Sequence, residues 1–201
     1  MRIIKEACSA SESSYLNFIK NLKIQSKTII SHIRLATQGE VSVRNTQPFS
    51  RELGGRQHVF VHNGNFPTLS NFINIKSTQF KPIGNTDSEL SFCNLMNRMV
   101  TIWVEDSPPI LEKRHHVFTS FCNDMQQYGI ANFIYSESDY TFIHSHKRLI
   151  KPTTKEASPG LYILHRNCPV DPLGSDIDGL KIKSNKPQNV IIVASVPLRR
   201  A

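Results

Sequence analysis

Polar chemistry is concentrated where Val59-Phe60-Val61 runs into His62-Asn63-Gly64-Asn65. The β-branched and aromatic residues fit a half-buried strand, and Asn-Gly tolerates the positive φ angles of a tight turn. The strand is therefore expected to stop at Asn63. Stopping there would leave the Asn63 side-chain amide and the Gly64 backbone N–H as two donors at a rigid strand end, an arrangement able to hold an oxyanion. The competing reading is a plain hairpin turn, for which Asn-Gly is the strongest short signal.

Two further blocks stand on either side: Ser31-His32-Ile33-Arg34-Leu35-Ala36-Thr37 upstream and Gly84-Asn85-Thr86-Asp87-Ser88-Glu89 downstream. Each needs an element to position it. Thr28 to Leu35 is β-branched and reads as a buried strand delivering Arg34 and Thr37 at its end. A lone Arg in such a place is usually a surface ion-pair partner, and a Thr can simply bond nearby backbone. Thr86 with Glu89 three residues on reads as a capping box before Leu90, Phe92, Leu95, Met96 and Met99.

The rest of the chain supplies the frame. Arg2 to Lys5 reads as a strand, and Tyr15 to Leu22 as a short amphipathic helix capped at Ser13 or Ser14. Glu40 to Ser50 is a polar loop closed by Pro48, and Gly54-Gly55 makes a turn feeding the Val59 strand. Pro67 to Pro82 is irregular. Ser88 to Val104 and Pro109 to Tyr128 read as two helices, separated by a segment ending in Pro108-Pro109 that cannot continue a helix. From Gly129 onward the period changes to short β runs at 132–136, 140–146, 160–165, 180–184 and 190–196.

Composition bounds the function. The 201 residues, 39% hydrophobic and 20% charged, suffice for one globular domain spanning 1–201. No apolar run approaches membrane-spanning length and no signal peptide is evident, so a soluble, cytoplasmic chain without membrane association is expected. Cys8, Cys93, Cys122 and Cys168 form no Cys-x-x-Cys pair, which argues against a zinc site or disulfide framework. Neighbouring His115 and His116 do not share a helix face, and His144 with His146 lack a third ligand; no metal site is expected. The formal charge of +8 raises nonspecific nucleic-acid binding as a minor alternative, but the basic residues are scattered and surround no recognition motif.

Taken together, the three polar blocks resemble the class II glutamine amidotransferases, most closely their stand-alone bacterial members and yeast glutathione-degrading relatives. The resemblance covers nearly the whole chain. It implies an α+β fold, the four-layer αββα sandwich of N-terminal-nucleophile hydrolases, and an active site that splits the side-chain amide of glutamine or a γ-glutamyl compound without a cofactor. By the same resemblance Arg34 holds the substrate α-carboxylate, which a planar guanidinium matches in bidentate fashion. Thr37 lies beside the same ligand, Asp87 accepts from the α-amino group, His62 joins the substrate-binding set, and Asn63 with Gly64 form the oxyanion hole.

Two departures qualify that expectation. Family members commonly carry His where Gln47 stands, and Gln47 cannot titrate near neutrality. They also use an N-terminal cysteine as nucleophile, whereas this sequence begins Met1-Arg2, and Cys8 stands too close to Arg34 for the family's initial strand pair and turn to fit between. The expectation is therefore a domain incomplete at its N-terminus, and also at its C-terminus, with no nucleophile in the chain, inactive alone and inclined to self-association or a protein partner. The alternative is a catalytically inactive remnant that retains ligand or partner recognition.

Overall fold

The computed structural model describes residues 1–198 except 23, 25, 35–38, 76, 105, 106, 138, 151, 152, 154, 178 and 179, with backbone alone at 20, 174–177, 180–182 and 184. It is a mixed α+β structure whose contacts divide the chain into two compact units, Met1–Ile143 and His144–Ala201.

The first unit is built on a sheet of order β1-β2-β3-β4, comprising Phe49–Leu53, Arg56–Asn65, Ile130–Ser136 and Thr141–His144. The β1–β2 hairpin turns at Gly54 and Gly55, whose φ angles of 60° and 71° lie in the left-handed region that glycine enters without penalty. β2 then pairs antiparallel with β3 from Val59↔Ser136 to Asn65↔Ile130. Helices α1 (Ser14–Asn21), α2 (Asp87–Met99) and α3 (Leu111–Met125) complete the unit. α1 starts at Ser13, whose hydroxyl accepts from Leu16 N–H at 2.7 Å.

α2 packs on β1, β2 and α3, because alternate residues of the strands present large apolar groups to it. Phe60 stacks on Phe92 at 5.2 Å between ring centroids and meets Phe133, tilted by 35°, at the same distance, while Phe121 lies 5.2 Å from Phe133. Each such ring taken out of water contributes roughly 1.5–3 kcal/mol. The buried His58 on this face is paired at both ring nitrogens: neutral, it accepts from the Tyr135 hydroxyl at 2.5 Å and donates to the Leu53 carbonyl at 3.1 Å. Among its described residues the second unit holds three antiparallel pairs: β5 (Arg148–Leu149) with β6 (Glu156–Ala157), β7 (Tyr162–Cys168) with β10 (Gln188–Ala194), and β8 (Asp171–Ile177) with β9 (Leu180–Ser184).

Several local expectations are corrected. Asn63-Gly64 is not a turn: β2 runs to Asn65, since β3 offers a partner to every residue through that point. The segment from Thr28 to Arg34 forms no strand. It has strand-like alternation, with Ile29 and Ile33 78% and 80% exposed while Ile30, His32 and Arg34 turn inward, but no neighbouring backbone takes up its hydrogen bonds as a ladder. Arg2 to Lys5 is likewise not a strand. The helices are shorter than expected, α2 ending at Met99 and α3 beginning at Leu111, two residues beyond Pro109.

Candidate functional site

Gly64 is needed for closeness to β3 rather than for turning. A Cβ there would lie 1.8 Å from the Ile130 carbonyl oxygen and 2.4 Å from His62 Nε2, so only hydrogen fits between strand and ring. Both Asn63 and Gly64 are exposed, and the Asn63 carbonyl accepts from Asn132 Nδ2 at 2.9 Å.

His62 turns to the face opposite the Asn63 side chain, the face to which a Gly64 Cβ would point, and is only 2% exposed. Its Nε2–H donates to the Ile130 carbonyl at 2.9 Å, leaving Nδ1 to accept from the Ser88 hydroxyl at 2.9 Å. The ring stacks on Phe66 at 4.4 Å between centroids. Burial pushes its pKa down to about 4, against the hydrogen bond to Ile130 and the nearby Asp87 charge, so the imidazole is neutral at pH 7. Its main chain is held just as firmly. Gln47 Oε1 accepts from His62 N–H at 2.6 Å, while Gln47 Nε2 and His32 Nε2 both donate to the His62 carbonyl, each at 3.1 Å. Burial also lowers the His32 pKa.

Asp87 opens α2, where the helix dipole and unsatisfied N–H groups favour a carboxylate. Its Oδ2 accepts from Phe66 N–H at 2.5 Å and its Oδ1 from Ser88 N–H at 2.8 Å. Thr86 caps the helix by accepting from Glu89 N–H at 3.2 Å, but the reciprocal half of the expected capping box is absent. Glu89 reaches past Thr86 instead. It accepts from Ile83 N–H at 3.1 Å and Gly84 N–H at 2.7 Å, and is neutralised by Arg51 Nη2 at 2.7 Å.

Arg34 comes from the extended segment that His32 fastens to β2. Its Nη1 donates to the Glu40 carbonyl at 3.1 Å and its Nη2 to the Gly39 carbonyl at 3.2 Å. Thr37 lies outside the described residues. The structure thus sets Arg34, Asn63, Gly64 and Asp87 on segments fastened to the end of β2, with His62 turned into the protein. A cavity of about 320 Å³ opens beside Asp87, walled by Phe66, Pro67, Ile73, Ile75, Pro82 and Leu90.

Four supporting residues were not singled out as such from sequence: Asn45, Ser88, Glu89 and Gly39. Their advance signals were local: Gly39 follows the upstream polar block, Ser88 stands in the downstream one, Glu89 completes the expected capping box with Thr86, and Asn45 lies in the polar loop closed by Pro48. Among the described residues no group of three His, Cys, Asp or Glu side chains is placed to hold a metal ion, and no helix is long and apolar enough to cross a membrane. Cys93 and Cys122 are buried, which raises both thiol pKa values, that of Cys93 to about 11. Neither is a ready thiolate.

Comparison with known proteins bears on this arrangement. The family model described as "Glutamine amidotransferases class-II" matches residues 1–201. A Haemophilus influenzae protein named "Putative glutamine amidotransferase" is 36% identical over 144 residues, covering 72% of this chain and 47% of that protein. The Escherichia coli protein "Putative glutamine amidotransferase YafJ" is 29% identical over 143 residues, covering 71% of this chain and 54% of its own length. The crystal structure of a "predicted glutamine amidotransferase" from Pseudomonas aeruginosa superimposes with a TM-score of 0.60 at 29% identity, over 79% of this chain and 57% of that one. The chain spans about half the length of the curated relatives it matches. By the family match over its whole length, and by the relatives that share most of it, this chain belongs to the class II glutamine amidotransferases.

Proposed function

We propose that the chain binds the α-amino-acid head of glutamine, or of a γ-glutamyl compound, between Arg34 and Asp87 and presents the side-chain amide to Asn63 and Gly64. The observation that carries this reading is the convergence on His62–Phe66. At one end His32, two residues before Arg34, is bonded to the His62 carbonyl; at the other the Phe66 N–H is bonded to Asp87. Asn63 and Gly64 lie between. A guanidinium for the carboxylate, a carboxylate for the ammonium and neutral donors for the developing oxyanion match the charges of such a substrate in order. Thr37 is assigned a place beside the same carboxylate.

In the reaction proposed, a thiolate that none of this chain's four cysteines supplies adds to the amide carbon, the tetrahedral oxyanion is held by Asn63 and Gly64, the amide nitrogen takes up a proton and leaves as ammonia, and water then hydrolyses the thioester to glutamate and the free thiol. The attacking thiol is assigned to none of Cys8, Cys93, Cys122 and Cys168: the last three are buried, and no contact ties Cys8 to the site. His62 acts here as a positioning residue, since both its ring nitrogens are engaged within the protein. The frame proposed is the αββα sandwich, of which β1–β4 with α2 and α3 would form one sheet and one helical layer.

Titrating L-glutamine calorimetrically into the wild type and into Arg34→Ala and Asp87→Asn tests the head-group assignment. Loss of a charged hydrogen bond costs roughly 1.5–3 kcal/mol, so each variant should bind about tenfold more weakly or worse. Where turnover is measurable, Asn63→Ala should lower it far more than it weakens binding, because an oxyanion donor acts on the transition state. Undiminished binding in both head-group variants would overturn the assignment.

A further inference from the structure

Asn45 is wholly buried in a chain segment that carries no apolar reason for burial. Its side-chain amide is fully used: Oδ1 accepts from Asn85 N–H at 3.0 Å, and Nδ2 donates to the Glu40 carbonyl at 3.0 Å and to Asn85 Oδ1 at 2.8 Å. Two glycines are cut to fit around it. A Cβ on Gly84 would stand 2.1 Å from Asn45 Oδ1, and one on Gly39 would stand 3.2 Å from Asn45 Nδ2 and 2.6 Å from Asn85 Oδ1, at a φ of +72° that already favours glycine.

We propose that Asn45 is the positioning residue that sets the separation of Arg34 from Asp87, and so governs affinity for an amino-acid head group it does not touch. This rests on the head-group reading above. Arg34 and Asn45 grip the same bend, both donating to the Glu40 carbonyl, with Arg34 also taking that of Gly39. On its other side Asn45 grips Asn85, two residues before Asp87. The frame on that side is rigid, because consecutive N–H groups of Ile83, Gly84 and Asn85 end on two buried side chains, Glu89 and Asn45. On the Arg34 side the segment has no strand ladder. Asn45 therefore carries the fixed geometry of the α2 start across to the bend that Arg34 holds, and only a side chain that donates and accepts at once can do so.

The variants Asn45→Asp and Asn85→Ala separate the two arms. Aspartate keeps an acceptor for Asn85 N–H, and rotation of the Asn85 amide can restore the side-chain link, but the donation to Glu40 is lost. Asn85→Ala changes an exposed side chain and keeps its own N–H on Asn45, so it is the safer fold. Hydrogen exchange of the full chain should quicken at 39–44 in Asn45→Asp while 83–86 stay near wild type, and L-glutamine affinity should fall about tenfold, the loss of one charge-linked contact. In Asn85→Ala, exchange should quicken at 83–86 with a smaller loss of affinity. Added to Arg34→Ala, Asn45→Asp should cost no further affinity. Unchanged exchange at 39–44 in Asn45→Asp, or glutamine losses that simply add, would overturn the proposal. A wild type that fails to bind glutamine would overturn the head-group reading instead, and the exchange pattern would still decide whether Asn45 fixes the bend that Arg34 holds.

Discussion

Replacing Gly64 by alanine tests whether the Asn63-Gly64 pair sits in a strand pressed against β3. The added Cβ would meet the Ile130 oxygen at 1.8 Å and His62 Nε2 at 2.4 Å, while ordinary contact begins near 3.4 Å. Neither obstacle is the free end of a flexible side chain: one is backbone inside a paired strand, and the other is a ring whose two nitrogens are both bonded. Relief requires β3 to withdraw by more than an ångström. Overpacking of this kind costs about 1–3 kcal/mol. Withdrawal also stretches the His62–Ile130 hydrogen bond beyond reach, and a buried group left unsatisfied costs about 1–3 kcal/mol more. The sum, roughly 2–6 kcal/mol, is a large part of the 5–15 kcal/mol by which domains are ordinarily stable.

Equilibrium urea unfolding followed by circular dichroism measures the loss, with two controls. Gly55→Ala meets nothing within 4 Å and bears only the penalty of its φ of 71°, about 1–2 kcal/mol. Gly64→Asn separates the two conformational readings. Asparagine tolerates the left-handed region of a turn, so a turn glycine would accept it almost freely, whereas a glycine required for close approach rejects it at least as strongly as alanine. A Gly64→Ala protein within about 1 kcal/mol of wild type, smaller than any overpacking cost in this range, would refute the argument.

Three further outcomes are expected. Thr86→Ala removes the hydroxyl that accepts from Glu89 N–H and should lower stability by about 1 kcal/mol in the same unfolding assay. Glu89→Ala strands Arg51 and releases the Ile83 and Gly84 N–H groups, and should cost about 3 kcal/mol or more, well beyond the cap, by the same measurement. The pH dependence has a defined sign. Burial lowers His58 and His62 to about 4, so between pH 6.5 and 4 the unfolded chain binds more protons and stability is lost as the pH falls, by up to about 1.4 kcal/mol per unit for each residue. Glu137, raised by burial to about 7 against the pull of Arg114, opposes this between pH 7 and 4.5, offsetting one histidine. His58→Gln should flatten the measured acid slope, and an unaltered slope would show that its pKa is not depressed.

How much of this was legible follows from how far away each determinant lies. α2, α3 and β3 were readable because their apolar periodicity is local, and the Gly54-Gly55 turn because its two glycines adopt the φ angles that the pair permits. The Asn63-Gly64 turn was misread because Ile130 to Asn132, nearly seventy residues on, supply the strand that keeps β2 extended. Thr28 to Arg34 has β-branched residues and the alternation of a strand, but strand propensity is a statement about fitting a neighbour, and no described neighbour pairs with it. The capping box was half right for a related reason. A cap is a local contact and Thr86 makes it, but Glu89 also had Arg51 of β1 within reach, and a buried carboxylate is better matched by a guanidinium than by a lone N–H.

Gln47 shows the same limit at the level of chemistry. Read from sequence, its distinguishing property was an inability to titrate where relatives commonly carry histidine. In the fold it meets one N–H and one carbonyl of the same residue, His62, and satisfies both with a single amide. The demand at this position is one acceptor and one donor in a buried, neutral setting, which an amide fills at any pH. A neutral imidazole also has one of each, but on protonation it becomes a donor at both nitrogens and would face the His62 N–H with another N–H. Glutamine therefore suits the hold on the strand that carries Asn63, and the loss of a titrating group leaves that hold indifferent to acid.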